Sequence, residues 1–133
     1  MKPVNNINDC MLWEIPGEQR RFMGIVHERD ITPTKTLSAG IVILPPGIEQ
    51  PKLSVHPDSE EIYFVIKGQG KFYLNDDIHD IETGSVVFVT PGAKHRAANT
   101  GSEEMQLYFV NTPSTFGPVG GYEDFTKNWK RVR

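Results

Sequence analysis

A chain of 133 residues suits one domain around one core. Its net charge of -3 gives no global basic field to attract nucleic acid, and a single cysteine, Cys10, excludes an internal disulfide and fits a reducing compartment. No apolar run approaches the roughly 20 residues that span a bilayer, and the N-terminal MKPVNNINDC holds no apolar stretch of signal-peptide length, so a cytoplasmic protein with no membrane and no nucleic-acid partner is expected.

Twelve glycines and ten prolines spread along the chain argue against a helical bundle and read as punctuation between short strands. Residues 1–19 are polar and irregular, with Trp13 and Ile15 as anchors, and Pro16-Gly17 marks a turn. A first strand is predicted over Arg20–Glu28, a loop over Arg29–Lys35 and a second strand over Thr36–Leu44, closed by Pro45-Pro46-Gly47. A third, short strand over Lys52–Val55 leads to His56, and a fourth runs from Glu61 to Ile66. Lys71–Leu74 and Ile78–Ile81 flank Asn75-Asp76-Asp77 as a hairpin, followed by strands at Ser85–Thr90, His95–Asn99 and Met105–Val110. Short strands with turns between them indicate an all-β sandwich or barrel. At the C-terminus, Phe125, Trp129 and Val132 fall on one face of a predicted helix within Tyr122–Arg133, with Asp124 near its start and basic residues near its end. The basic residues of that helix read as a solvated face, because the whole chain is acidic.

Two blocks carry the chemistry. The first is Gly47, His56, Glu61 and Gly68; the second is Gly84, Pro91-Gly92, His95 and Asn99. Together they resemble the paired motifs of the cupin superfamily over residues 36–110, and Glu61 rather than Glu60 keeps that family's glutamate-to-glycine spacing. The resemblance implies a cupin jelly-roll barrel of antiparallel strands with a metal in its mouth, here with an N-terminal arm (1–30) and a C-terminal loop and helix (112–133) in one domain over 1–133. It also implies three histidines and one glutamate as ligands. His56, Glu61 and His95 match three of the four; Ser54 stands where the remaining histidine belongs, and serine is a poor ligand beside imidazole.

Strand alternation puts Lys52, Ser54 and His56 on one face, and Glu61 on one face with Tyr63 and Val65. Two neutral imidazoles and one carboxylate form a set associated with Fe(II), and able to hold Mn, Zn or Ni, with positions left open for a ligand. The sequence therefore points to a metal-dependent enzyme acting on a small oxygen-rich molecule, a keto or hydroxy acid or a sugar derivative, as an isomerase, lyase or dioxygenase. Tyr63 and Lys52 are the candidate catalytic groups and Ser54 lines the pocket. The alternative is a non-catalytic small-molecule binding or sensing module, with or without metal. His27 and His79 lie outside the motifs and read as surface or packed histidines; Cys10 has no partner histidine nearby in sequence. A homodimer is expected, because Ile62, Phe64 and Ile66 face away from the Glu61 side yet are apolar, and residues 20–28 offer a strand to a neighbour.

Overall fold

The structure, a computed structural model, describes residues 3–26, 36–113 and 129–133, the side chains of 20–26 excepted. After a short 3-10 turn at Ile7–Asp9, the strands are β1 Leu12–Ile15, β2 Arg20–Val26, β3 Ser38–Leu44, β4 Glu60–Lys67, β5 Gln69–Leu74, β6 Asp77–Glu82, β7 Val86–Val89, β8 His95–Asn99, β9 Met105–Thr112 and β10 Lys130–Arg131. All pairings are antiparallel. One sheet has the order β10-β1-β2-β3-β9-β4-β7 and the other β6-β5-β8. The expected all-β jelly roll is therefore the observed architecture.

Alternation decides which residues meet inside. On β4, Glu61, Tyr63 and Val65 are buried while Glu60, Ile62 and Phe64 are exposed. β9 repeats the pattern with Met105, Leu107, Phe109 and Asn111 buried. The core joins Val42 and Leu44 of β3, Tyr63 and Val65 of β4, Phe72 of β5, Ile81 of β6, Val89 of β7, Ala97 of β8 and the apolar residues of β9. A second, smaller cluster lies on the outer side of β3, where Ile7, Cys10 and Leu12 pack with Ile41, Ile43, Ile66 and Tyr108. Gly70 is dictated by this packing: a Cβ there would stand 2.0 Å from the Ala98 carbonyl oxygen.

Three expectations change. The strand over Lys52–Val55 is not formed; the chain meets β8 only through isolated bridges, Glu49 to Ala98 and Ser54 to His95. Four residues separate Glu49 from Ser54 but only two separate Ala98 from His95, so two residues must loop out, and Pro51 has no N–H to give a ladder. Second, Leu12–Ile15 is a strand, and β2 is paired on both sides by β1 and β3, so it has no free edge to offer a neighbour. Third, Lys130 and Arg131 are not helical. They pair with Glu14 and Trp13, the backbone N–H of Val132 donates to Leu12 O at 2.8 Å, and Trp129 packs against the core with Trp13. The unpaired edge of β1 supplies backbone partners that outweigh a helical spacing of only three apolar residues. The rest of that predicted helix, the 29–35 loop, His27, Glu28 and Phe125 lie outside the described residues.

Candidate functional site

Three segments converge at one end of the barrel. β4 supplies Glu61 at its start, on the inward face. β8 opens with His95, delivered by the turn through Thr90–Gly92, where Gly92 takes a φ of 82° that suits glycine. His56 lies in the looped segment before β4, tied by its carbonyl, which accepts from Gly92 N at 3.0 Å. Two residues earlier, Ser54 is bridged to His95 by backbone hydrogen bonds of 2.7 and 3.0 Å. The same turn thus places both histidines.

One ligand atom each from His56, Glu61 and His95 lie within 4.8 Å of one another. Glu61 is 2 % exposed and His95 1 %, with His56 partly open to solvent. Nδ1 of His95 stands 3.1 Å from the Ala93 carbonyl, an acceptor, so Nδ1 carries a proton, which in the neutral ring leaves Nε2 a lone pair. That Nε2 faces Glu61 Oε1 at 3.0 Å, and His56 Nε2 lies 3.9 Å from the same oxygen. Both Glu61 Oε1 and His95 Nε2 are buried without a hydrogen-bond partner. With His95 neutral, these are two buried acceptors turned on each other, which repel unless a positive species, a metal ion or a shared proton, sits between them. A separation of 3.0 Å is what two adjacent ligands span on one ion at roughly 2.1 Å from each, so the donor set fits a divalent transition metal.

The protonation states agree. Burial holds the His56 imidazole below its ordinary value, the pull of the Glu61 carboxylate only partly offsetting it, with repulsion from His95 adding to the fall. Burial by itself would raise Glu61, but contacts from His95, Asn111 and the Tyr63 hydroxyl outweigh it and hold the carboxyl below its ordinary range. Near neutrality the site thus presents an anion and a neutral His56, the forms that bind a cation. The walls are aromatic: Phe72 stacks parallel to His95 at 6.2 Å, with Tyr63 at 5.9 Å.

The sequence candidates divide. His56, Glu61, His95 and Ser54 are brought together, and Tyr63 is buried beside them with its hydroxyl on Glu61. Lys52 is not: it is exposed in the looped-out residues, because the alternation that would align it with Ser54 is broken there. Glu60 points to solvent and His79 is exposed on β6. Asn99, the last residue of the second motif, holds the fold: its Nδ2 donates to Leu44 O, Pro45 O and Glu103 O at 2.8–3.1 Å and its Oδ1 accepts from Gly101 N. Asn111, unmarked in the sequence reading, donates from Nδ2 to Glu61 Oε2 at 2.6 Å. The available signal was a polar residue ending the inward series Met105, Leu107, Phe109. Among the described residues no helix is long and apolar enough to cross a membrane.

Comparison with known proteins agrees with this architecture. The oxalate-binding protein of Thermotoga maritima is 34% identical over 67 residues, covering 50% of this chain and 54% of that protein. The chain spans about half the length of the curated relatives it matches. Among solved structures, a predicted oxalate decarboxylase from Thermotoga maritima superposes with a TM-score of 0.73 at 23% identity, covering 83% of this chain and 98% of that one. An RmlC-like cupin from Shewanella frigidimarina gives a TM-score of 0.72 at 17% identity, covering 94% and 96%. At these identities the two structures share the fold. The family model described as "Cupin domain" matches residues 40–111, from β3 through β9 and including all three converging side chains, and the chain belongs to the cupin family.

Proposed function

We propose that the protein is a metal-dependent cupin enzyme acting on a small oxygen-rich molecule, with His56, Glu61 and His95 as the ligands of a divalent transition ion, Fe, Mn, Zn or Ni. The carrying observation is the pair of buried, unpartnered acceptors, Glu61 Oε1 and His95 Nε2, 3.0 Å apart. When bound, the ion supplies Lewis-acid stabilisation of an oxyanion, or with iron a place for oxygen, which covers isomerase, lyase and dioxygenase chemistry. The protein's own residues set the rest. Ser54 leaves room beside His95 for a chelating carboxylate, keto or hydroxyl pair. The aromatic walls of Phe72 and Tyr63 exclude water from that side, and the Tyr63 hydroxyl, on Glu61, is the group placed to hold or pass a proton. The name of the Thermotoga maritima relative, an oxalate-binding protein, supports a small carboxylate as ligand.

Metal analysis tests this reading. Protein purified without added metal should carry close to one ion per chain and His95→Ala almost none; metal content no higher than the variant's background would sink the proposal.

The second reading is a binding module without turnover. The exposure of Lys52 favours it, because that leaves Tyr63 as the remaining candidate proton carrier. Titration with oxalate and related keto and hydroxy acids, followed by product analysis with and without oxygen, separates the two: saturable binding with unchanged ligand supports the module, and product formation the enzyme.

For assembly we propose a homodimer through the outer face of β4 and β7. Ile62 and Phe64 are exposed there directly opposite Phe88 and Val86, while Ile66 is covered by the N-terminal segment. We read the chain as one cupin domain, a reading supported by β1, β2 and β10 joining the same sheet as the motif strands, and as cytoplasmic, which its single cysteine supports.

A further inference from the structure

We propose that Asn111, held by Ser38, is a positioning residue that makes Glu61 a one-oxygen ligand of the ion. This rests on reading His56, Glu61 and His95 as the metal site. Ser38 on β3, Asn111 on β9 and Glu61 on β4 are cross-strand partners in one row, so their inward side chains lie side by side. Asn111 is 1 % exposed and Ser38 2 %. Polar side chains on an otherwise apolar inner face are costly to bury unless they are satisfied, and these satisfy each other in a defined direction. The Ser38 hydroxyl donates to Asn111 Oδ1. With that oxygen taken, the amide must present Nδ2 to the carboxylate, and it donates to Glu61 Oε2 at 2.6 Å. A flipped amide would set its carbonyl oxygen against an anionic oxygen.

The result is a carboxylate divided by its neighbours. Oε2 is engaged by the amide, and Oε1 is left facing His95 and His56. A freely turning carboxylate would give an ion both oxygens and fill a coordination position. Fixed in this way, Glu61 occupies one, and the position beside Ser54 stays available to an incoming ligand. Groups that orient a metal ligand in this manner are worth about 10–100-fold in metal affinity.

Co²⁺ is the probe, because its visible bands report coordination number as well as binding. Wild type, Asn111→Leu and Ser38→Ala are each titrated with Co²⁺ in competition with a chelator, after circular dichroism and a melting curve show a folded barrel. Wild type should bind one Co²⁺ per chain. Asn111→Leu should bind about 10–100-fold more weakly, with weaker and shifted visible bands as the released carboxylate takes up a second bond. Ser38→Ala should move both readouts the same way by less. A role confined to fold stability would lower the melting point and leave the bands unchanged. Wild-type affinity and bands in a folded Asn111→Leu protein overturn the proposal; if that variant does not fold, the same result in Ser38→Ala overturns it. A wild-type protein that takes up no Co²⁺ overturns the metal reading itself, and the positioning role with it.

Discussion

His95 Nε2 and Glu61 Oε1 face each other at 3.0 Å, and the partly buried His56 beside them sets how the site responds to acid. The ordinary imidazole value is 6.5, and burial in the fold lowers His56 below it. As pH falls below about 6.5, the unfolded chain takes up that proton before the folded one does, so folded stability declines until the folded His56 titrates. Glu61, lowered from 4.5, adds a loss of the same sign below that pH. Metal-free protein should therefore melt at a lower temperature at pH 5 than at pH 7.5, and His56→Gln should remove the part of this loss that begins near neutrality. Metal affinity should hold through that range and fall only at lower pH, once the folded His56 takes up its proton in competition with the ion. Much of the residue scale was legible in the sequence: motif spacing marked His56, Glu61 and His95 and separated Glu61 from Glu60. Asn111 and Ser38 were not legible, because their meaning arises from the register of three strands distant in sequence, which no local pattern encodes.

At the scale of elements, the segment before β4 shows where alternation stops being a guide. Between Glu49 and Ser54 the chain holds two residues more than β8 can pair, so Lys52 leaves the face it would share with Ser54. The C-terminal segment shows the same priority of long-range pairing, with Lys130 and Arg131 completing the β1 edge in place of a helix. Asn99 closes the other side of β8. Replacing it with alanine strips donors from the buried Leu44 carbonyl and from those of Pro45 and Glu103, and chemical denaturation should show a loss of roughly 2–3 kcal/mol with the metal ligands themselves untouched. Gly70→Ala should destabilise as strongly, since the added methyl meets the Ala98 backbone rather than a flexible side chain. A melting point within a degree or so of wild type would show that β5 and β8 move apart freely.

Across the whole molecule, the two sheets enclose the core and leave two outer faces treated differently. The face over β3 is covered by Ile7, Cys10 and Leu12, whereas Ile62, Phe64, Val86 and Phe88 form an apolar patch on β4 and the edge strand β7. A patch of this kind marks an interaction surface, and the proposed dimer covers it. Sedimentation at micromolar concentration should show a dimer for wild type and a monomer for Phe88→Glu with the barrel intact; a wild-type monomer would contradict that assembly. We propose that the buried Glu61 and His95 atoms at the barrel mouth hold a cation. The most direct test is a crystal structure of the protein grown with Mn²⁺, measured for anomalous scattering. One strong anomalous peak bonded to His56 Nε2, Glu61 Oε1 and His95 Nε2 is expected, with Glu61 Oε2 still on Asn111. A site without such a peak, with Glu61 and His95 joined by a shared proton or a water instead, would contradict it.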